Sequence, residues 1–193
     1  MKNLISIFTL LLSTILLTSC TDNDDTLKLG GKMVVNGVEH PLTKAFIIPN
    51  YKGDDPSFDK RRFSLFLTNG DMAMQNNAYL YSDNITQLIE LSLYTSAGNP
   101  GSVEYTTYKV YNSHTDTDFN DAIISHSGIH TDVLFQNWEF VSANSLSSDD
   151  MTSGQATISL SNGIYSINFS FSNADNTVTG TYKGHLTELN YQY

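Results

Sequence analysis

The densest group of side chains able to bind a metal lies in the middle of the sequence. Asp116, Asp118 and Asn120 alternate along the chain, and Asp121 follows directly. Oxygen ligands at alternating positions are typical of loops that bind Ca²⁺. However, Asp121 stands where an EF-hand loop requires glycine, and Ser127 stands where it requires a bidentate glutamate. The sequence therefore indicates no resident cofactor and leaves calcium at these four oxygen-bearing residues as the one metal to test.

No catalytic motif is present. His126 and His130 have the spacing that places two imidazoles on one helical face for Zn²⁺, but Ser127-Gly128 between them disfavours a helix and no glutamate follows His126. The chain has no Gly-x-Ser-x-Gly sequence and no second cysteine. We expect two surface histidines in strands and a protein without catalytic activity, with a hydrolase that has a cryptic site as an alternative.

Aromatic residues offer a different kind of site. Tyr105, Tyr108 and Tyr111 lie close together in the sequence, and Trp138 is the single tryptophan. Exposed tyrosine or tryptophan can stack on a sugar ring or anchor a protein partner. Because side chains alternate along a strand, Tyr108 is expected to point away from the other two tyrosines. These four aromatic residues are the predicted ligand-binding residues, although tyrosine is also an ordinary strand residue.

The elements that must position these side chains are strands. Asn36-Gly37 predicts a type I′ turn in an opening hairpin, and Asn162-Gly163 predicts another near the end of the chain. Short alternating segments run through the rest of the chain, and the final third indicates a three-stranded meander from Gln155 to Leu189. Residues 85–94 form the longest predicted strand, and residues 103–111 form the next.

These elements predict one all-β domain over residues 32–193. Its favoured architecture is an antiparallel two-layer β-sandwich, and the alternative is a lipocalin-like β-barrel, because an open sheet of about ten strands would leave a face and two edges exposed.

The chain begins with features of export. Residues 1–19 combine one lysine with an apolar run that is too short and too interrupted for a good membrane span, as in a secretory signal peptide. Leu17-Thr18-Ser19-Cys20 resembles the lipobox of bacterial lipoproteins, which implies a signal peptide that is cut away and a lipid on Cys20. Residues 20–31 would then be the lipidated, acidic tether, and Asp25-Thr26-Leu27 resembles an acceptor for O-glycosylation at Thr26.

The two ends of the chain together resemble one protein class. The lipobox, the acidic run at residues 22–25, the opening Val-Asn-Gly-Val hairpin and the closing segment from Gly163 to Leu186 are similar to uncharacterised surface lipoproteins of Bacteroidota-type bacteria with an all-β domain. This resemblance implies an outer-membrane address, anchored by lipid and facing outward, and no chemistry. The function expected from it is non-catalytic binding of an extracellular glycan or protein, and the alternative is a structural component of the cell envelope.

The net charge of the chain limits the classes of partner that it is expected to bind. After removal of the signal, nine Lys and Arg remain against twenty Asp and Glu, a formal charge of −11. Residues 63–193 contain only Lys109 and Lys183 as Lys or Arg. Nucleic acid is therefore excluded as an expected partner, since its binding requires a basic surface.

Overall fold

The computed structural model describes residues 28–50, 57–112, 119–147 and 151–191. Within these residues the chain is all-β, without helices. The strands are β1 (Gly30–Val35), β2 (Val38–Leu42), β3 (Lys44–Pro49), β4 (Arg62–Thr68), β5 (Met72–Gln75), β6 (Ala78–Tyr81), β7 (Gln87–Tyr94), β8 (Thr107–Val110), β9 (Ile123–Gln136), β10 (Glu139–Ser147), β11 (Ser153–Ser161), β12 (Ile164–Ser172), β13 (Thr177–Gly184) and β14 (Thr187–Glu188).

Twelve strands form one sheet in the order β14-β3-β4-β7-β9-β8-β11-β12-β13-β1-β2, with β10 paired to β9 alone. β5 and β6 form a separate hairpin. The sheet is mixed, because β8 pairs with β9 and β14 pairs with β3 in parallel. The expectation of a purely antiparallel sheet is wrong at these two pairs. Parallel neighbours need a long crossover, and the connection across residues 111–122 supplies one between β8 and β9.

The sheet is strongly curled into a half-barrel. β2 lies at one end of the strand order and β3 lies near the other, yet only Thr43 separates them in the chain. The two ends of the sheet must therefore approach each other. The Thr43 N–H donates to the Thr68 carbonyl oxygen at 2.8 Å, and the Gln87 side-chain amide donates to the Pro41 carbonyl oxygen at 2.5 Å, which bonds β2 across to β7.

The main core fills the inside of this curl. Alternate residues of nearly every long strand point into it, which is the pattern expected when one face of a sheet is buried. Ile89, Leu91 and Leu93 of β7 are fully buried there, as the alternation of residues 85–94 predicts. The other main contributors are Met33, Leu42, Leu65, Leu67, Tyr108, Ile124, Ile129, Ile158, Ile167, Phe171 and Val178.

A second core lies on the outer face of β3, β4, β7 and β9. Phe46, Ile48 and Phe66 face outward there, and the β5–β6 hairpin covers them with Met72 and Met74. β3 and β4 are thus buried on both faces, which explains their continuous apolar runs. This second core also contains Leu88 of β7 and Val133 and Phe135 of β9, at the end of the layer where β9 continues into the β9–β10 hairpin.

Candidate ligand-binding cleft

The β9–β10 turn contains an unusual residue. Hairpins β1–β2 and β11–β12 turn through Asn36-Gly37 and Asn162-Gly163, with positive φ at both positions. The β9–β10 hairpin has the same two-residue turn, but Trp138 occupies the glycine position with a φ of 68° after Asn137 at 53°. A bulky residue is rare at positive φ and costs about 1 to 2 kcal/mol of conformational free energy. Folding alone favours glycine at position 138.

Trp138 is also half-exposed and has apolar neighbours. Leu134 and Val141 are each 51% exposed, and Phe140 is 57% exposed. Because side chains alternate along strands, Leu134 lies on the face of the hairpin opposite to Phe135 and its cross-strand partner Phe140. We call Leu134, Trp138, Phe140 and Val141 the tip patch. It presents apolar surface on both faces of a projecting hairpin.

The second strand of this hairpin is an edge. Within the described residues β10 pairs with β9 and with no other strand, so one row of its backbone groups has no sheet partner there. A bulge at Asp132, whose φ is 51°, shifts the alternation along β9. Even-numbered His130 and odd-numbered Val133 and Phe135 therefore lie on the same outer face.

Beneath the tip patch lies a cleft of about 260 Å³. Its aromatic wall consists of three rings. Tyr81 from β6 stacks on Phe135 with ring centroids 4.7 Å apart, and Phe135 meets Phe140 edge-on at 5.9 Å. Leu88, Val133, Glu90 and His130 complete the lining. The cleft is thus mostly apolar, with one carboxylate and one imidazole.

Glu90 is the unusual polar group of the cleft. It lies on β7 among apolar neighbours, and burial raises its pKa above the ordinary value of 4.5. The charges of His126 and Arg62 act in the opposite direction without reversing the shift. Among the described residues no group donates a hydrogen bond to its carboxylate. Glu90 is therefore a partly buried acceptor that remains available to a ligand.

His130 is held beside Glu90 by its neighbours. Its Nδ1 lies 2.8 Å from the Ser145 hydroxyl across the β9–β10 pair. Its Nε2 lies over Gly128, where a Cβ atom would be only 2.9 Å away, so a side chain at position 128 would displace the ring. Burial, helped by the charge of His126, lowers the pKa of His130, which favours the neutral imidazole.

The contact between Ser145 and His130 does not form a catalytic triad. In a triad a carboxylate orients the histidine through the nitrogen that faces away from the serine. The described surroundings of His130 contribute burial and the charge of His126, and no carboxylate partner. We interpret the pair as a cross-strand hydrogen bond.

The predicted tyrosines lie elsewhere and have different environments. Tyr105 is 55% exposed and packs against Tyr165 with centroids 6.2 Å apart. Tyr111 lies 5.3 Å from the Phe119 ring. Tyr108 is fully buried, and its hydroxyl bonds both the N–H and the carbonyl oxygen of Glu104. Tyr108 points into the core and has no surface for a ligand, and Tyr105 and Tyr111 lie outside β8, so the three tyrosines do not share one strand as the sequence predicted.

The predicted calcium loop is only partly described. Asp116 and Asp118 lie outside the described residues, whereas Asn120 and Asp121 are exposed before β9. Nearby, the Arg61 guanidinium donates to the Phe119 carbonyl oxygen at 2.9 Å and lies 5.6 Å from the Phe119 ring centroid. The described residues contain no group of three or more histidine, cysteine or acidic side chains arranged to hold a metal.

Cys20 and Thr26 also lie outside the described residues, as does the whole segment 1–19. β1 begins at Gly30, so the last two residues of the segment assigned to the tether already belong to the sheet.

Patterns in the sequence did not predict Tyr81, Glu90, Phe135 or Phe140 as site residues. One signal was available for Glu90, which is the single charged residue in the apolar run Gln87–Tyr94. The aromatic members give no such signal, because any of them fits an ordinary strand.

Comparisons with family models, with curated proteins and with solved structures gave no match to this chain. In the part of the chain that the structure describes, no helix is long and apolar enough to cross a membrane.

Proposed function

We propose that this chain is a lipid-anchored protein of the bacterial outer membrane that faces outward and binds a protein partner through the tip patch. The proposed address rests on the resemblance of residues 17–20 to a lipobox and on the acidic run that follows. The binding role rests on Trp138, which occupies a turn position where glycine would cost less and where half of its surface meets solvent.

Tryptophan at a positive-φ position such as 138 lowers the stability of the folded protein. Strained backbone persists at positions that serve a function, because other parts of the structure compensate for its cost. Tryptophan and phenylalanine are also enriched at protein interfaces, and tryptophan is among the residues that contribute most to their binding free energy. Together these two properties support a contact surface at the turn.

A protein partner fits the tip patch better than a glycan does. Sugar rings stack on flat aromatic faces, whereas Leu134 and Val141 are aliphatic and lie among the aromatic residues. The exposed edge of β10 adds backbone groups that an extended segment of a partner can pair with. Exposed Tyr105, which packs against the partly buried Tyr165, is the better place to look for a glycan.

For the domain itself we propose the barrel alternative over the two-layer sandwich. The continuity of β2 with β3 through Thr43 favours a sheet that wraps around one core. A sandwich would instead divide the strands between two stacked sheets.

The experiment that tests binding is site-specific photo-crosslinking in cells that express the full chain. A photoreactive amino acid replaces Trp138, and the matched control replaces Val38, which is 60% exposed at another two-residue turn. We expect a discrete protein adduct from position 138 and none from position 38. Equal adducts from both positions, or none from either, would refute the proposed surface.

The proposed location on the outer face of the outer membrane is tested by a separate experiment. Intact cells are treated with protease, with the wild-type chain compared to a variant in which Asp22, Asp24 and Asp25 are replaced by alanine. Loss of the wild-type domain and protection of the variant are expected. Protection of both would restrict the partner to the periplasm.

A further inference from the structure

The cleft beneath the tip patch differs from the patch itself because it contains a carboxylate. We propose that it accepts an alkylammonium group, and specifically a lysine side chain that the protein partner inserts between Phe140 and Glu90. This inference rests on the proposed protein-binding function and adds the chemistry by which the partner is recognised.

The shape and lining of the cleft fit such a side chain. A lysine presents an apolar stem of four carbons and a charged end. Leu88 and Val133 line the cleft with aliphatic surface for the stem. The rings of Tyr81, Phe135 and Phe140 stand beside it, and aromatic faces attract cations.

Glu90 supplies the charge that the ammonium requires. No described residue donates a hydrogen bond to its carboxylate, although Arg62 and His126 are within electrostatic reach. The buried Nε atom of Arg62 has no hydrogen-bond partner, so it does not donate a hydrogen bond to Glu90. The ammonium group of an inserted lysine donates the hydrogen bond to Glu90 that no described residue supplies.

The charged side chains near the cleft are mostly acidic, which is opposite to the charge of an ammonium group. The strands that build the cleft and the tip, β5, β6, β7, β9 and β10, contain no lysine and no arginine. Asp83, Asp132 and Glu139 lie in or beside the same hairpin and the β6–β7 loop. Acidic side chains in this part of the domain favour the approach of a cation over an anion, and Glu90 is the acid that lines the cleft itself.

The test uses the full lipoprotein in detergent with two small probes. N-acetyl-lysine methylamide carries the ammonium, and N-acetyl-norleucine methylamide has the same stem without it. Binding is followed by calorimetry and by the fluorescence of Trp138, the single tryptophan. We expect saturable binding of the lysine probe and at least tenfold weaker binding of the norleucine probe.

Three variants separate the possible outcomes. Glu90→Gln should weaken the lysine probe at least tenfold, Phe140→Ala should weaken both probes, and Asp175→Asn, at an exposed turn, should change neither. Equal binding of the two probes, or unchanged lysine binding in Glu90→Gln, would overturn the inference. If crosslinking at position 138 succeeds while the lysine probe fails, only the lysine inference is lost. The reverse result removes the proposed docking surface and leaves the cleft as a cation site.

Discussion

The backbone N–H of Trp138 donates a hydrogen bond to the Asp83 carboxylate at 3.2 Å. Asp83 belongs to the loop between β6 and β7, so this bond joins the turn of one hairpin to an element outside it. The orientation of Trp138 therefore depends on a residue 55 positions away in the sequence. The tip patch is held in place and does not project as an isolated turn.

Replacing Asp83 tests this tether. In Asp83→Ala the turn keeps its two-residue geometry but loses its acceptor, so the Trp138 side chain should move more freely and its fluorescence anisotropy should fall. The free energy of unfolding should change by less than about 1 kcal/mol, because the bond is exposed. Asp175→Ala is the control, and an equal fall in anisotropy there would contradict the tether.

Trp138→Gly should separate stability from binding. Glycine adopts positive φ at little cost, so the variant should be as stable as the wild type or up to about 1 kcal/mol more stable, although half-buried ring contacts are lost. Partner binding should fall at least tenfold. Urea unfolding followed by circular dichroism measures the first effect, since the variant has no tryptophan.

The matched control for this prediction is Asn77→Gly. Asn77 has a φ of 62° at the same position of the β5–β6 turn. It should gain stability in the same way and keep full binding. A loss of several kcal/mol in Trp138→Gly would mean that the tryptophan is needed for folding, and its place in the turn would then not indicate a contact surface.

Local patterns in the sequence predicted the strands near the two ends of the chain well. The Asn36-Gly37 and Asn162-Gly163 turns are confirmed, as is the meander of β11, β12 and β13, although its last strand ends at Gly184 and residues 187–188 form β14, which pairs with β3. Both signals are local, since a turn type depends on two residues and a strand face on alternation. The strand predicted at residues 103–111 is shorter in the structure, where β8 covers only Thr107–Val110.

The site could not be predicted in the same way. β9 is one strand of fourteen residues, but the bulge at Asp132 reverses the alternation of its side chains. A search of the sequence for alternating apolar residues therefore does not detect it as one long strand. Asn137-Trp138 does not resemble a turn, because the second residue is not glycine. The cleft also needs β6, β7, β9 and β10 to meet, and long-range pairing is not encoded in any one segment.

Tyr108→Phe should lower stability without affecting ligands. The Tyr108 hydroxyl accepts from the Glu104 N–H at 2.9 Å and donates to the Glu104 carbonyl oxygen at 3.0 Å. Its removal leaves two partly buried backbone groups without this partner and should cost about 1 to 3 kcal/mol in the free energy of unfolding. Tyr105→Phe, at an exposed position, should cost little. Equal effects of the two changes in urea unfolding would contradict this role.

Glu90→Gln should change how stability depends on pH. Four groups interact electrostatically with Glu90, namely Arg62, His126, Tyr79 and Tyr81. Burial outweighs the two cations and keeps the pKa of Glu90 above 4.5 in the folded protein. As pH rises from that ordinary value through the raised pKa, the unfolded chain has already lost a proton that the folded protein still holds, so stability falls across this window. Above the window the penalty is complete.

Glutamine does not ionise, so Glu90→Gln should be more stable than the wild type at pH 7, and the difference should shrink as pH falls through the raised pKa of Glu90 and end below 4.5. Melting temperatures measured from pH 3.5 to 8 provide the comparison, with Glu188→Gln as an exposed control that should match the wild type throughout. A variant less stable than the wild type at pH 7 would mean that the Glu90 carboxylate is already satisfied within the fold. In that case it would have no need of an ammonium from a partner.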